Sequence, residues 1–220
     1  MITKIEQAIV SRLKNGLGRM VRSVKSYSGE LEDLATQVMV LPAVWVTYGG
    51  SRIEPKATGK KRYQDSAEFV VMVATRSLRN EAALRQGGTD AREIGSNDLL
   101  YAVRRLLDGQ SLGFSDSRGL TPKAVRTLAN NVLVQNSAVS VFAIEYVLRF
   151  DSFALEDGRY PERQNDQSHP DFIFSRYSGK SDAAYPDFTG VDGKIFDPNG
   201  GEVPLHVDLK EKKDKQNGND

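Results

Sequence analysis

Only two side chains in this chain are imidazoles, the commonest general acid–base group, and both come late: His169 and His206. His169-Pro170-Asp171 has the residue types of a catalytic or metal-binding fragment. A metal site needs three or four converging ligands, and neither an H-E-x-x-H helix motif nor a spaced His cluster occurs. The 220 residues contain no Cys, which excludes zinc–thiolate and iron–sulfur sites, a Cys nucleophile and a disulfide framework. Serines are common, but no Gly-x-Ser-x-Gly elbow is present and no His precedes residue 169 to activate one. Gly59-Lys60 lacks the earlier glycine of a phosphate-cradling loop, and no G-x-G-x-x-G follows a strand-like run. Asp192, Asp197, Asn199 and Glu202 lack the alternating spacing of a calcium loop and read as a turn. These residues predict a protein that is not an enzyme and uses no cofactor or metal.

Two segments are instead suited to contact. Residues 51–62 set Arg52, Lys56, Lys60, Lys61 and Arg62 against Glu54, five basic side chains to one acidic, a local balance of +4. Three roles fit: a solvated connector, a contact with an acidic protein surface, or a contact with nucleic-acid phosphates. Farther on, Phe172, Phe174, Tyr177, Tyr185, Phe188 and Phe196 are spread through a stretch with little regular period. Rings in an irregular acidic segment require something to dock on. The candidates are its own core and another subunit, with disorder as the third reading.

The elements that must carry these segments follow from periodicity. Ile2, Ile5, Ile9, Leu13 and Leu17 recur at spacings of three and four and predict a helix over 3–16. Thr3 and Glu6 have capping-box spacing, and Gly16 and Gly18 supply the stop. Residues 20–27 read as a half-exposed strand, and Leu31, Leu34, Ala35 and Val38 as a short helix. Ala43 to Tyr48 is apolar on both faces, so a central strand is predicted, closed by Gly49-Gly50 and followed by a polar loop over 51–62. Residues 66–76 form a second two-faced strand. Leu99, Leu100, Val103, Leu106 and Leu107 stripe a helix over about 90–108 that ends at Gly109. Residues 111–121 read as loop and 123–135 as a strand. Residues 139–150 give the clearest strand, with Phe142, Ile144, Tyr146, Leu148 and Phe150 on one face. That face is aromatic but carries no basic residues, so it reads as core rather than as an RNA platform. Ile195-Phe196 and Val203-Pro204-Leu205 flank a turn sequence and predict a hairpin over 194–206. The remainder of the C-terminal region has no sustained period.

Thirty Lys and Arg oppose 29 Asp and Glu, a net of +1, but the balance is uneven. Residues 1–89 carry 14 basic and 8 acidic side chains (+6), residues 90–150 carry 7 and 6 (+1), and residues 151–220 carry 9 and 15 (−6). An acidic arm facing a basic surface, its own or a neighbour's, is one reading, and ordinary solvated surface is the other. Hydrophobic residues at 39 per cent suffice for a core. The opening residues contain no signal-type apolar stretch, and no run approaches 18 apolar residues, so no leader and no membrane contact are expected.

The core resembles a small protein family of Mu-like phages and prophages. The matching pieces are Ile5-Glu6-Gln7-Ala8-Ile9-Val10-Ser11-Arg12-Leu13, Val24-Lys25-Ser26-Tyr27-Ser28-Gly29-Glu30-Leu31, Leu41-Pro42-Ala43-Val44-Trp45-Val46 and Val73-Ala74-Thr75-Arg76-Ser77-Leu78-Arg79. The Leu99–Leu107 helix and Val141-Phe142-Ala143-Ile144-Glu145-Tyr146 complete the order. The resemblance implies a tail terminator, a structural virion protein assembled in the host cytoplasm and placed at the head–tail junction. Such a protein forms a homohexameric ring on the last ring of tail tube and stops its polymerisation. Its partners would be its own copies, the tail tube protein, the sheath protein in a contractile tail, and a neck or head-completion protein, with DNA only as cargo. A head-completion or connector subunit is the alternative, and a nucleic-acid-binding module using residues 51–62 is the less favoured one.

The expected fold is α+β: a mixed or mainly antiparallel sheet of four or five strands with both long helices on one face. The expected division is a core over 1–152 and an extended arm over 153–220. The candidate interface residues are Arg52, Lys56, Lys60, Lys61 and Arg62 from the basic loop, and Phe172, Phe174, Tyr177, Tyr185 and Phe188 from the arm.

Overall fold

A five-stranded mixed sheet carries the first part of the chain, in the order β1-β2-β3-β5-β4. The strands are β1 (Ser23–Ser26), β2 (Ala43–Pro55), β3 (Arg62–Ser77), β4 (Thr121–Val134) and β5 (Ser137–Phe153). β1 runs parallel to β2, and every other pairing is antiparallel. The fold is therefore the expected α+β sheet, with the three strongest strand signals in its middle. The computed structural model describes residues 1–56, 62–77, 85, 94–114, 119–134, 137–183, 190–196 and 200–208.

The two-faced strands need a cover on each side. On one face lie Val44 and Val46, Phe69, Val71 and Val73, and Ile144, Tyr146 and Leu148, all fully buried. Helices α1 (Ile2–Leu17) and α3 (Ser96–Leu107) close this face with Ile5, Ile9, Leu13, Leu17, Leu99, Val103 and Leu107. Burying each large side chain contributes about 1.5–3 kcal/mol relative to leaving it in water. On the other face Ala43, Trp45, Met72, Ala74, Val139, Val141 and Ala143 form a second, smaller core. Its cover is the segment between β1 and β2, through Tyr27, Leu31, Leu34, Val38 and Leu41. That segment holds α2 (Leu34–Gln37), whose Asp33 side chain accepts from the Thr36 amide at 3.3 Å. Glu30, buried at its start, pairs with Lys25 at 2.8 Å and accepts from the Ser28 amide at 2.7 Å.

The two long helices meet through an absent side chain. A Cβ on Gly16 would lie 2.5 Å from Leu106, so glycine lets that leucine pack against α1. Arg12 Nε in turn donates to the Leu106 carbonyl at 2.5 Å, satisfying an acceptor in the last turn of α3. Tyr146 reaches out of the main core to donate to Asp108 at 2.9 Å, and Arg104 holds the second oxygen of that carboxylate at 2.7 Å. Burial, then the hydrogen bond to Asp108, pushes the tyrosine hydroxyl well above its ordinary range.

Three local expectations change. The capping box does not form, because α1 begins before Thr3: the Ile5 amide already bonds to the Met1 carbonyl at 3.1 Å, and no side chain caps the helix. Gly16 lies within α1, and Gly18 ends it with φ 51°. Gly49-Gly50 does not end β2. Gly50 adopts φ 115° and the register shifts between Tyr48 and Gly50, a bulge that absorbs one residue and lets pairing with β3 continue to Pro55. Residues 51–55 are thus strand rather than loop, and Arg62 is the first residue of β3. The N-terminal part of the helix expected over 90–108 lies outside the described residues up to 93, and α3 starts at Ser96.

The chain divides into two units, Met1–Glu156 and Asp157–Asp220. In the second, Glu162 and Asp182 form an isolated bridge, α4 (Phe172–Arg176) makes a single short helix, and β6 (Gly190–Phe196) pairs with β7 (Glu202–Asp208) as an antiparallel hairpin. The hairpin is longer than the expected 194–206. No helix among the described residues is long and apolar enough to cross a membrane.

Replacing Ile9 by Ala is expected to lower the unfolding free energy by about 2–5 kcal/mol, through lost burial and a cavity under α1. Replacing exposed Lys14 by Ala should change it by no more than about 0.5 kcal/mol. Urea unfolding of the full chain checks the contrast, and equal midpoints would contradict this packing.

Candidate subunit interface

The long β2–β3 hairpin positions the basic residues, and it turns most of the described ones toward acidic neighbours in the same unit. Arg52, exposed in β2, pairs with Glu54 at 2.9 Å. Lys56 Nζ lies 2.6 and 2.8 Å from the two carboxylate oxygens of Asp151. Arg62 approaches the same carboxylate at 3.7 Å, with its guanidinium 4.9 Å above the Phe153 ring. Lys60 and Lys61 lie outside the described residues. Asp151 is the partner the linear sequence conceals: only the β3–β5 register, which sets Gln64 opposite Asp151, brings it beneath the hairpin. The hydrogen bond from Lys56 holds the Asp151 carboxyl below the usual carboxylate range, with the Lys56 and Arg62 charges adding to it against a smaller desolvation effect.

The polar side of the hairpin continues this pattern. Glu68 of β3 pairs with Lys123 of β4 at 2.5 Å, across the intervening β5, and Glu145 of β5 pairs with Arg126 of adjacent β4 at 2.7 Å. Arg52, Glu54, Gln64, Ser66, Glu68, Val147 and Arg149 line a shallow polar groove of about 390 Å³. Exposed pairs of this kind contribute little stability each, about 0–1 kcal/mol. Asp151 offsets part of the positive balance of residues 51–62, at Lys56 and Arg62.

The arm residues fall on α4 and its flanks. Phe172 is half-buried, Phe174 is exposed, and Tyr177 is 71 per cent exposed with the Arg176 guanidinium 5.6 Å from its ring. Phe174 packs against the turn at Gly179, whose amide bonds to the Phe174 carbonyl at 2.8 Å. Tyr185 and Phe188 lie outside the described residues. Ile173, beside these rings, is also exposed and carries no signal in a segment without period.

The histidines take local roles. His169 Nδ1 accepts from the Asp171 amide at 3.2 Å, and His206 sits against Asp192 across the β6–β7 hairpin. Among the described residues, no group of three or more His, Cys, Asp or Glu side chains is placed to hold a metal ion. A groove of about 520 Å³ between α3 and β4 contains Tyr101, Arg104, Asp108 and Val125. Its acid and base are already committed to each other and to Tyr146.

The described geometry is thus a two-faced sheet with charged and apolar side chains at its surface. A family model described as bacteriophage Mu, Gp37 matches residues 1–151, which is most of the chain and nearly all of the first unit. The chain belongs to the bacteriophage Mu Gp37 family. It is a Mu-like phage structural protein, as the order of its core segments implied. The match stops at residue 151, two residues before β5 ends at Phe153, so the arm lies outside the family model. No curated protein matches the chain.

The Asp151 cluster makes a pH prediction. A carboxyl with a depressed folded pKa contributes stability above its unfolded value, about 3.9, and loses that contribution as pH falls through the folded value. Wild type should therefore have a higher urea midpoint than Asp151→Asn at about pH 7, with the gap closing by about pH 2. A gap that persists in acid would contradict the Lys56–Asp151 pairing.

Proposed function

We propose that this chain is a tail terminator: its copies form a homohexameric ring on the head-proximal end of the tail tube, stop tube polymerisation and join the tail to the neck. The observation that carries the reading is the match of the whole core to a phage structural family. The architecture supports it. Both faces of the central sheet are covered within one unit, so the core stands alone as a building block. The second unit leaves aromatic and aliphatic side chains exposed, including Tyr177, Ile195, Phe196 and Val203. Such surface is suited to protein partners.

A closed ring needs a heterologous contact, one patch of a copy meeting a different patch of the next. The tail tube would take one side of the ring, a neck or head-completion protein the other, and the sheath would join in a contractile tail. DNA would pass through as cargo. In this reading the protein works by occupying a polymer end, with no reaction to catalyse.

Tails assembled without this protein should have tubes of uncontrolled length in electron micrographs. Tails of normal length that lack heads would contradict termination and assign the protein to the neck.

A further inference from the structure

The sheet of the first unit ends in a strand with one free side. β4 pairs with β5, and no other described strand pairs with it. Unpaired amide and carbonyl groups along that side are a template for a further strand. Bulges between Pro122 and Ala124 and between Thr127 and Ala129 confine regular pairing to residues 124–127. The two faces of this run differ. Val125 lies opposite Ile144 and Thr127 opposite Phe142, on the side of the sheet that the two long helices cover. There α3 leaves a groove of about 520 Å³ beside β4, with Leu100, Tyr101 and Val125 among its lining residues. Tyr101 and Val125 are both exposed. On the other side Arg126 lies opposite Ala143 and pairs with Glu145, and Lys123 pairs with Glu68. The edge is therefore apolar toward the helices and charged away from them.

The β6–β7 hairpin of the second unit has the same two-sidedness. Its register aligns Val191 with Val207, Gly193 with Leu205 and Ile195 with Val203. Side chains alternate along a strand, so these residues share one face. All five aliphatic side chains on it are exposed. On the opposite face Asp192 sits against His206, and Lys194 pairs with Glu202 at 2.7 Å. A two-stranded hairpin with an open apolar face is marginal alone. Its two strands are not equivalent: Pro204 deprives β7 of a backbone donor, whereas β6 contains no proline. β6 is thus the strand suited to extend a sheet.

We propose that β6 of a second copy pairs along residues 124–127 of β4 and adds its hairpin to the edge of the sheet. The aliphatic face of the hairpin then lies on the helix side, beside Val125 and the α3 groove, and the face with Asp192 and Lys194 lies beside Arg126. The reverse placement would set aliphatic side chains beside the Arg126–Glu145 pair and charged pairs beside Tyr101, so only one placement matches apolar with apolar. The signs of charge agree as well. Residues 121–134 carry Lys123 and Arg126 with no acid, and residues 190–208 carry Asp192, Asp197, Glu202 and Asp208 against Lys194. The ion pairs on the charged faces are exposed, so the two rows can lie side by side with those pairs intact. The contact deepens the ring reading and rests on it: edge to hairpin is heterologous, and repeated from copy to copy it closes a ring.

The chain lacks Cys, so engineered thiols report only their own contact. Full-length Val125→Cys protein is co-expressed in turn with Val191→Cys, Asp192→Cys, Gly193→Cys, Lys194→Cys or Ile195→Cys protein and mildly oxidised, with circular dichroism confirming each fold. A disulfide between two different single variants can only be intermolecular. Successive side chains of a paired strand point to opposite faces, so the yield of heterodimer should alternate along β6. The best of positions 191, 193 and 195 should exceed both 192 and 194 at least tenfold. Absence of the heterodimer, or a yield without this alternation, overturns the proposal. A Val125→Cys homodimer in its place overturns it in favour of two β4 edges meeting. An intramolecular disulfide in the Val125→Cys/Val191→Cys, Val125→Cys/Gly193→Cys or Val125→Cys/Ile195→Cys double variant, without the heterodimer, overturns it by seating the hairpin on its own chain. The wild-type mass separates the two claims: a multimer without this heterodimer keeps the ring and removes the contact, while a monomer removes both.

Discussion

The inner strands of the sheet are apolar on both faces, and the rest of the first unit follows from having to cover each. β3 shows it most clearly: Phe69, Val71 and Val73 point one way, Met72 and Ala74 the other, and all are buried. One face takes the two long helices, pressed together at Gly16. The other takes the short segment between β1 and β2, pinned by Glu30 and Asp33. Beyond Tyr48 the β2–β3 hairpin extends past this region, and most of its exposed positions are polar or charged, with Ile53 and Tyr63 the large apolar ones.

That extension governs the electrostatics. Strands that continue past the core bring charges from distant parts of the sequence into register. Lys56, Arg62 and Asp151 form one cluster for this reason, as do Lys123 with Glu68 and Arg126 with Glu145. Of the basic residues in the first 89, Lys25, Arg52, Lys56 and Arg62 are held by carboxylates of the same unit. Arg22 and Arg76 are different: they meet on the second face, beside the exposed Met39, without a carboxylate from the described residues.

Periodicity made the core legible. Ile5, Ile9 and Leu13 repeat at helical spacing and are all fully buried, and the alternation from Val139 to Phe150 assigns the two faces of β5 as observed. The segments of the family resemblance are these same core elements, which is why the order was readable. What stayed hidden depends on backbone geometry or on partners far apart in sequence. A Gly-Gly pair reads as a strand end, yet a bulge with positive φ carries β2 on to Pro55. Thr3 and Glu6 have capping spacing, yet the helix starts too early to use it. α4 has five residues, too few for any period to show. The engagement of Lys56 by Asp151 needs the β3–β5 register, and the meeting of Arg22 with Arg76 needs the order of the whole sheet.

The central claim is a subunit built to meet its own copies, with a self-sufficient core and a second unit whose apolar side chains are left to partners. The mass of the purified full-length protein in solution tests this most directly, by sedimentation velocity across a range of concentrations. The account predicts a closed multimer of discrete mass, with a hexamer as the expected species. A monomer at every concentration would contradict it.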